Sequence, residues 1–334
     1  MLTRRRLAAT AGLALLAGRG KSAQAQSPQA QSSFPDRPIR AIVGYPPGGG
    51  VDIVARLVGE PMQKALGQPV IVENRPGASA MIAAQAVAKA APDGYSLLFA
   101  AAGEIAVNPS LYKDRMTYDP AKELAPVALC GTVPCLVVVP ASLPVHNPAE
   151  LIAYAKANKG KLSFSSSGIG NPQHLAGELM NHMAGTDVLH VPYRGSAPAV
   201  TDVAAGRVTM SFSSLGAALP LIQDGKLRAV AVTSSTPMPQ LPDVAPLSTA
   251  PGMEGYELIN WFGLFAPAGL PAPVMDKLAI AADRALQDET LQRKLMEQGI
   301  IPRRMDPAAF RRFVEEDAVK FAKIINDANI TAEG

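Results

Sequence analysis

The sequence predicts an α/β protein made of two successive strand–helix units. Its 334 residues are enough for about two domains of ordinary size. Its composition, 48% hydrophobic and 18% charged, is typical of a chain that packs a core, and it excludes a disordered chain. Short apolar runs alternate with segments of helical periodicity, which is the order expected of an α/β sheet.

The first unit is predicted from residue 39 onward. An apolar run at Ile39–Val43 indicates a strand, and a glycine- and proline-rich turn follows it at 44–50. The next segment is predicted as a helix because apolar residues recur every three or four positions, at Val51, Val54, Ala55, Val58 and Met62. Pro61 should kink or shorten that helix. Strands at 70–72 and 95–101 flank a second helix near residues 82–87, so a parallel sheet is expected.

The second unit follows a long strand-rich passage at 127–139 that Pro134 interrupts. Its strands are predicted at 162–166, 188–191, 208–212 and 227–233, and its helices at 148–157, 172–183 and 198–205. A further strand is predicted at 261–266. The chain then ends in two helices with apolar stripes, at 273–298 and 307–330.

The first 25 residues are predicted to be an export signal. A basic segment at 1–6 precedes an apolar stretch at 7–18, and an A-x-A cleavage site ends at Ala25. The apolar stretch is too short to span a bilayer, which needs about 20 residues. Arg4 and Arg5 favour a twin-arginine signal over an ordinary secretory one, and both alternatives stay open. The mature chain is therefore expected in the periplasm, with a disordered leader at 26–33.

Charge and composition exclude several classes of partner. The predicted signal contains five basic residues and no acidic one. The rest of the chain therefore has 26 basic and 28 acidic residues. That balance gives no basic face for nucleic acid. Aromatic residues make up only 5% of the chain, which disfavours sugar binding by ring stacking. No later segment has 18 uninterrupted apolar residues, so a soluble mature protein is expected.

Catalytic and cofactor motifs are absent from the sequence. It has no phosphate-binding G-x-x-x-x-G-K-[ST] loop, no H-E-x-x-H and no G-x-S-x-G elbow. Its four histidines do not have the spacing of metal ligands, so neither a metal nor a cofactor is expected. Cys130 and Cys135 could form a disulfide in an oxidising compartment or remain two buried thiols.

Three loops that open helices are the candidate ligand sites: the first glycine loop (residues 46–50), the serine loop (165–172) and the third loop (193–198). Unpaired N–H groups at such helix starts attract a carboxylate. Gly48 and Gly49 are expected to present N–H groups, while Asp52 is interpreted as a structural first-turn acid. Asn171 is expected to cap the helix after the serine loop. Arg194 could pair with an anion or be solvated.

Several motifs fall in the order and spacing of one family. They are Arg37-Pro38-Ile39-Arg40, Pro46-Pro47-Gly48-Gly49-Gly50-Val51-Asp52, Val72-Glu73-Asn74-Arg75-Pro76-Gly77-Ala78, Pro92-Asp93-Gly94-Tyr95, His190-Val191-Pro192-Tyr193 and Phe262-Gly263-Leu264-Phe265-Ala266-Pro267. With these motifs the chain resembles the Bug-type extracytoplasmic solute receptors, which are the binding proteins of tripartite tricarboxylate transporters. The resemblance runs from about residue 35 to residue 313.

The resemblance implies a type II periplasmic-binding-protein fold, with two α/β domains, a two-strand hinge and a ligand cleft. The expected limits are 34–131 with 255–334 for domain 1 and 132–254 for domain 2. The implied ligand is a small organic acid: a di- or tricarboxylate, an acidic amino acid or an aromatic carboxylate. The implied binding residues are Tyr45, Pro47, Gly48, Gly49, Ser79, Ala80, Ala102, Ser166, Ser167, Gly168, Gly170, His174, Tyr193, Arg194, Gly195, Ser196 and Asp202.

The sequence departs from the family pattern in the loop at 77–80, which reads Gly-Ala-Ser-Ala where the family usually has Gly-Ala-Gly-Gly. It also lacks the usual acid near 245–249, and Pro61 is unusual. The implied function is non-catalytic: a monomeric receptor closes on its ligand and delivers it to membrane subunits. Two alternatives remain, a ligand-occupancy sensor for a histidine kinase and an exported hydrolase that uses a serine of 165–167 with His174.

Overall fold

A computed structural model describes residues 34–332, so the predicted signal and leader lie outside the described residues. The described chain forms two five-stranded sheets. The first sheet has the order β2 (Val70–Asn74), β1 (Ile39–Val43), β3 (Ser96–Ala101), β10 (Ile259–Pro267) and β4 (Leu124–Pro134). The second has the order β7 (Val188–Pro192), β6 (Leu162–Ser166), β8 (Met210–Ser213), β5 (Leu136–Pro140) and β9 (Leu227–Val232).

Helices cover both sheets. In chain order they are α1 (Gly50–Leu66), α2 (Met81–Ala88), α3 (Asn108–Leu111), α4 (Pro120–Glu123), α5 (Pro148–Ala157), α6 (Pro172–Ala184), α7 (Ser196–Ala204), α8 (Leu215–Gln223), α9 (Ala272–Gln287), α10 (Glu289–Glu297) and α11 (Pro307–Asp327). Two irregular turns matter for the site, a 3-10 turn at Ala78–Ala80 and a π-helical turn at Gly103–Val107.

Both sheets are mixed rather than purely parallel. In the first sheet β1 pairs in parallel with β2 and β3, whereas β10 runs antiparallel to β3 and β4. In the second, β6 pairs in parallel with β7 and β8, whereas β5 runs antiparallel to β8 and β9. The chain crosses between the sheets twice, from β4 to β5 and from β9 to β10. The α/β class predicted from the sequence is therefore confirmed.

The prediction of one helix at 273–298 is wrong, because the structure has two helices there, α9 and α10. α9 ends at Gln287, and Asp288 begins a new helix because its carboxylate accepts a hydrogen bond from the Leu291 N–H at 2.9 Å. The apolar stripe continues across the break, so periodicity alone could not reveal it. The sequence also did not predict α8, a short apolar helix after β8.

Pro61 does not end α1, contrary to the expectation that it would kink or shorten that helix. The helix continues to Leu66. The missing N–H of a mid-helix proline costs about 3 kcal/mol. Val54, Val58 and Met62 form a fully buried stripe on the same helix, and this burial offsets the cost.

The two cysteines are free thiols, so the disulfide alternative is not realised in the structure. Cys130 lies in β4 and belongs to the hydrophobic cluster between α1 and the first sheet. Cys135 lies in the crossing between the sheets and belongs to a different cluster. Burial raises the pKa of both thiols to about 12, so both remain protonated and unreactive.

The C-terminal helix α11 is joined to β10 of the first sheet by a buried hydrogen bond. Trp261 of β10 is fully buried and donates its indole N–H to Asp317 of α11 at 2.7 Å. Lys320 pairs with the same carboxylate at 2.7 Å.

Among residues 34–332, no helix is both long enough and apolar enough to cross a membrane.

Candidate functional site

A cavity of about 560 Å³ lies where the two sheets face each other, a size typical of small-molecule sites. Its wall from the first sheet and the crossings contains Tyr45, Gly50, Val51, Ile53, Ser79, Ala101, Gly103, Asn108, Leu111, Tyr112, Val133, Cys135, Asn260, Phe262, Gln298 and Ile300. Its wall from the second sheet contains Ser167, Ile169, Gly170, Asn171, Pro172, Gln173 and Ser214.

The wall includes four of the residues predicted from the sequence: Tyr45, Ser79, Ser167 and Gly170. The other thirteen lie around the wall rather than in it. They are Pro47, Gly48, Gly49, Ala80, Ala102, Ser166, Gly168, His174, Tyr193, Arg194, Gly195, Ser196 and Asp202. The hydrogen bonds of each loop explain this division.

The first glycine loop uses its own N–H groups, contrary to the prediction that they face a ligand. The Gly48 N–H donates to the Asp52 carboxylate at 2.9 Å, and the Gly49 N–H donates to the Pro46 carbonyl at 3.2 Å. Gly50 and Val51 are the first residues of α1, where helix geometry leaves N–H groups without an intrahelical acceptor. Both residues line the cavity, so the open donors of this loop lie two positions further on than predicted.

Asp52 is structural, as predicted, and is almost fully buried. Besides Gly48, it accepts hydrogen bonds from Asn74 at 2.8 Å and from Arg56 at 3.0 Å. Burial raises the pKa of this carboxyl, but the bonds from Arg56, Gly48 and Asn74 outweigh burial and hold the pKa below its ordinary value. The entrance to α1 is therefore fixed by an ionised acid.

The loop before α2 has an unusual backbone. Ala78, Ser79 and Ala80 are three consecutive residues with left-handed φ values of 46°, 51° and 66°. Each such residue other than glycine costs about 1–2 kcal/mol. The Asn108 amide donates to the Ser79 carbonyl at 2.9 Å, and the Ser79 hydroxyl donates to the Tyr112 hydroxyl at 3.2 Å. These bonds hold the strained loop against the cavity, which Ser79, Asn108 and Tyr112 all line.

The serine loop is also largely satisfied from within. Asn171 caps α6 as predicted, accepting from the His174 N–H at 3.0 Å. The Ser167 N–H donates to Gln173 at 2.8 Å, and the Gly170 N–H donates to His174 Nδ1 at 3.0 Å. His174 is therefore a buried support beneath the loop rather than part of the wall.

Two histidines stack beneath this loop. The rings of His174 and His190 are parallel, with their centroids 3.7 Å apart. The Phe164 ring packs beside both of them, with its centroid 4.9 Å from that of His190 and 6.4 Å from that of His174. Burial, together with the neighbouring His174, lowers the pKa of His190 to about 3. The His190 ring of this stack is therefore neutral at pH 7.

The hydrolase alternative needs His174 as the base of a serine of 165–167, and among the described residues no hydrogen bond joins them. His174 Nδ1 accepts from the Gly170 N–H instead, and its Nε2 lies 3.6 Å from Glu178. The Ser166 hydroxyl lies 2.7 Å from His190 Nε2, but Ser166 is fully buried and its hydroxyl donates to the Gly168 carbonyl at 2.9 Å. A nucleophilic serine needs an orienting group behind its base and access to a substrate. Within residues 34–332, no carboxylate is hydrogen-bonded to His190.

The third loop supports the serine loop instead of facing the cavity. Its two predicted selectors bind each other, because the Tyr193 hydroxyl donates to Asp202 at 2.6 Å and Arg207 pairs with the same carboxylate. The Gly195 N–H donates to the Ser167 carbonyl at 3.2 Å. Ser196 accepts a hydrogen bond from Gln173 at 3.0 Å. Arg194 is exposed and lies outside the wall.

Sequence reasoning missed a tyrosine–glutamate pair at the end of β1. The Tyr45 hydroxyl donates to Glu104 Oε2 at 2.7 Å, and Glu104 is fully buried. Burial raises the pKa of Glu104 to about 7, although the bonds from Tyr45 and the Ala101 N–H lower it. Glu104 lies in the irregular turn Gly103–Val107 within an apolar run, so the sequence offered no local signal for it.

Sequence reasoning also missed the polar groups near the second crossing. Asn260 of β10 pairs with Val133 of β4, and its buried side-chain oxygen is without a donor among residues 34–332. Gln298 lies on the same wall, and Ser214 lies on the wall from the second sheet. Neutral amides and hydroxyls of this kind fix the orientation of a ligand without adding charge.

The wall carries no charged side chain among the residues that the structure describes. Three helices begin at it instead: α1 at Gly50, α6 at Pro172 and α8 just after Ser214. The Gly50 and Val51 N–H groups are open at the start of α1, whereas α6 begins with a proline and its His174 N–H is capped by Asn171. The helix dipoles give a positive potential at all three starts without a cation. In the described chain no group of three His, Cys, Asp or Glu side chains could hold a metal ion.

Comparison with known proteins points in one direction. The family model described as "Tripartite tricarboxylate transporter family receptor" matches residues 54–330. Protein BugT of Bordetella pertussis is 34% identical over 305 residues, which cover 90% of this chain and 92% of BugT.

Two solved structures of similar proteins contain a carboxylate. An R. palustris protein solved with adipate is 35% identical with a TM-score of 0.75, and the match covers 89% of this chain and 99% of that one. MatC of Rhodopseudomonas palustris, solved with bound malate, is 31% identical with a TM-score of 0.71, over 87% of this chain and 100% of that one.

Proposed function

We propose the following function for a chain that belongs to the tripartite tricarboxylate transporter receptor family: it captures a small organic carboxylate in the cavity between its two sheets and delivers it to the membrane subunits of such a transporter. One observation carries the proposal, namely a cavity of ligand size whose wall holds helix starts and neutral donors but no charged side chain. The carboxylates named in the adipate and malate structures support the same ligand class.

The first carboxylate of the ligand binds at the starts of α1 and α6. Gly50, Val51 and Ile169 offer main-chain N–H groups there, and Tyr112 offers a hydroxyl. Each charge-assisted hydrogen bond contributes about 1.5–3 kcal/mol. After ordering costs, three or four of them account for a micromolar dissociation constant, which corresponds to a binding free energy of about −8 kcal/mol. Asn260, Gln298 and Ser214 bind the rest of the ligand.

Capture proceeds by hinge closure about the two crossings between the sheets. The bodies that move are 34–131 with 255–334, and 132–254. A ligand that touches both walls binds the closed form better than the open form, so it shifts the population toward closure. We propose no catalytic step, and the sensor alternative draws support from no feature of the described residues.

The proposal is tested by thermal shift on ligand-stripped protein with a panel of mono-, di- and tricarboxylates, acidic amino acids, sugars and polyamines. A ligand at 100 times its dissociation constant adds about 2.7 kcal/mol of stability. We expect stabilisation by at least one carboxylate. Stabilisation by a sugar or a polyamine, with none by any carboxylate, would contradict the proposal.

A matched pair of variants locates the binding. A Cβ on Gly50 would approach Phe262 within 2.9 Å at the cavity wall, whereas a Cβ on Gly216 in α8 would meet nothing within 4 Å. Gly50→Ala should weaken carboxylate binding about tenfold, which is about 1.4 kcal/mol. Gly216→Ala should leave binding unchanged. Equal effects would place the ligand elsewhere.

The protein acts in the periplasm after export through the twin-arginine route. Arg4 and Arg5 precede the apolar stretch of the predicted signal, where a twin-arginine signal has its pair. Replacing both with lysine should leave the precursor in the cytoplasm. Normal processing near Ala25 in that variant would instead establish the general secretory route.

A further inference from the structure

Glu104 is a buried acid whose role the capture of a carboxylate leaves unexplained. Its side chain is fully buried, and within residues 34–332 no lysine, arginine or histidine pairs with it. Its neighbour Gly103 lines the cavity. A buried carboxylate without a cation is costly, and a negative ligand beside it adds repulsion.

The carboxyl group of Glu104 is linked to the cavity by a hydrogen bond from the hydroxyl group of Tyr45, a residue of the cavity wall. Glu104 Oε1 accepts from the Ala101 N–H at 3.0 Å, and Oε2 accepts from the Tyr45 hydroxyl at 2.7 Å. Tyr45 lines the cavity together with Gly103, where a Cβ would lie 3.4 Å from the Tyr45 hydroxyl. Because glycine has no Cβ, residue 103 places no side-chain atom against the Tyr45 hydroxyl.

The proton on Glu104 decides what Tyr45 can offer to a ligand. A tyrosine hydroxyl has one hydrogen to donate. While Glu104 is ionised, that hydrogen is committed to Oε2, and Tyr45 presents only lone pairs to the cavity. A protonated Glu104 donates to the tyrosine oxygen instead, so the Tyr45 hydrogen is free to bond an anion.

Resting on the proposed function, we infer that capture of a carboxylate takes up one proton on Glu104 and that Tyr45 then donates its hydroxyl hydrogen to the ligand. Glu104 is a positioning residue, since it acts through Tyr45. Burial raises the pKa of its carboxyl to about 7, so the free receptor holds this proton only in part at neutral pH. The ligand's negative charge raises that pKa further.

The elements packed around Glu104 bring few other titratable groups to it. The Tyr118 hydroxyl donates to the Glu104 carbonyl at 2.6 Å, and burial raises the pKa of Tyr118. From α11 the buried acid is Asp317, which bonds Trp261 and Lys320 instead. On α4, Lys122 and Glu123 pair with Asp119 and Lys89. α3, β3 and the turn at Ala78–Ala80 carry no ionisable side chain.

The test is calorimetric titration of ligand-stripped protein with adipate, malate, succinate, citrate, glutamate and benzoate at pH 6, 7 and 8. Two buffers of different ionisation enthalpy report the protons taken up. All of these ligands except citrate are mostly ionised at pH 6, whereas citrate still titrates a carboxyl of its own near that pH. For the other five ligands the receptor dominates the pH dependence. For the ligand that binds best, we expect affinity to be about tenfold weaker at pH 8 than at pH 6, with close to one proton taken up at pH 8.

Two variants distinguish proton uptake on Glu104 from a purely structural role of that residue. In Glu104→Gln the amide oxygen can accept from Ala101 while the amide nitrogen donates to Tyr45, which copies the protonated state. This variant should bind equally well at pH 6 and pH 8 without proton uptake. Tyr45→Phe should lose about tenfold at pH 6 and become nearly independent of pH. A structural role for Glu104 would lower affinity at every pH in the glutamine variant.

The outcomes are distinguishable. Binding that is independent of pH and takes up no proton in the wild type overturns this inference and leaves the proposed function intact. Failure of all six carboxylates to bind at any pH overturns both. The same pH dependence in Glu104→Gln as in the wild type assigns the proton to another group and also overturns the inference.

Discussion

The entrances to α1 and α6 are alike in sequence and different in chemistry. Both follow a strand through a short loop that contains glycine, and both reach the cavity. At α1 an ionised acid, Asp52, accepts the loop N–H of Gly48. At α6 a ring nitrogen, Nδ1 of His174, accepts the loop N–H of Gly170.

This difference bears on how firmly the α1 entrance is held in acid. The pKa of Asp52 lies below its ordinary value, so the α1 entrance keeps its acceptor until strongly acidic pH. An imidazole that gains a proton on Nδ1 can no longer accept a hydrogen bond there. The α1 entrance is therefore held by a charged acceptor, whereas the α6 entrance is held by a ring nitrogen that accepts only while it carries no proton.

The largest effect is expected at Asp52. Asp52→Ala removes the acceptor for Gly48, Asn74 and Arg56 from a buried position, so about 3 kcal/mol of unfolding free energy should be lost. Chemical denaturation measures it. The matched control is Asp224→Ala, which removes an exposed pair with Lys226 and should cost less than about 0.5 kcal/mol. Equal losses would show that the α1 entrance is not fixed by this acid.

The second effect is the acid sensitivity of the histidine stack. The pKa of His190 is lowered from 6.5 to about 3, so the folded state resists the proton that the unfolded state accepts. Its contribution is fully present above pH 6.5 and is lost as the pH falls toward 3. Solvent screening reduces the loss to about 2 kcal/mol by pH 4.

His190→Gln should remove that part of the pH dependence, because glutamine does not titrate. Urea denaturation at pH 7, 5.5 and 4 measures the difference. A variant that loses as much stability as the wild type between pH 7 and pH 4 would contradict the assignment to the stack.

The third effect compares one glycine from each loop. Gly48 and Gly170 have left-handed φ values of 81° and 73°, so alanine costs about 1 kcal/mol at either position. A Cβ on Gly48 meets nothing within 4 Å, whereas a Cβ on Gly170 would lie 2.1 Å from Leu111 of α3, across the cavity. Gly170→Ala should therefore weaken ligand binding several-fold more than Gly48→Ala. Adding Leu111→Ala should restore part of that binding, and a lack of any restoration would exclude the contact.

The smallest effect is expected in the loop before α2. Ser79→Gly relieves a left-handed residue but adds freedom to the unfolded chain, so a net gain of about 0.5 kcal/mol is expected. Thermal denaturation measures it. A loss of stability would mean that the bond between the Ser79 and Tyr112 hydroxyls outweighs the strain.

Strand and helix positions were largely predictable because periodicity and turn residues are local. The break between α9 and α10 at Asp288 and the continuation of α1 past Pro61 could not be predicted, since both depend on tertiary packing and capping. The loops of the site were found by their glycines and serines, but their donors were misassigned. Gly48 looks open in the sequence, but its N–H donates to Asp52, a carboxylate that the fold also joins to Asn74. Glu104 and Asn260 sit in apolar runs where nothing in the sequence distinguishes them.

The central claim is that a cavity without charged side chains binds a carboxylate through neutral donors. Its most direct test is calorimetric titration of ligand-stripped protein with the carboxylate that stabilises it best and with the primary amide of the same molecule, which has the same shape and no charge. We predict micromolar binding of the acid, and binding of the amide at least a hundredfold weaker, a difference of about 2.7 kcal/mol. Equal affinity for the two would contradict the account.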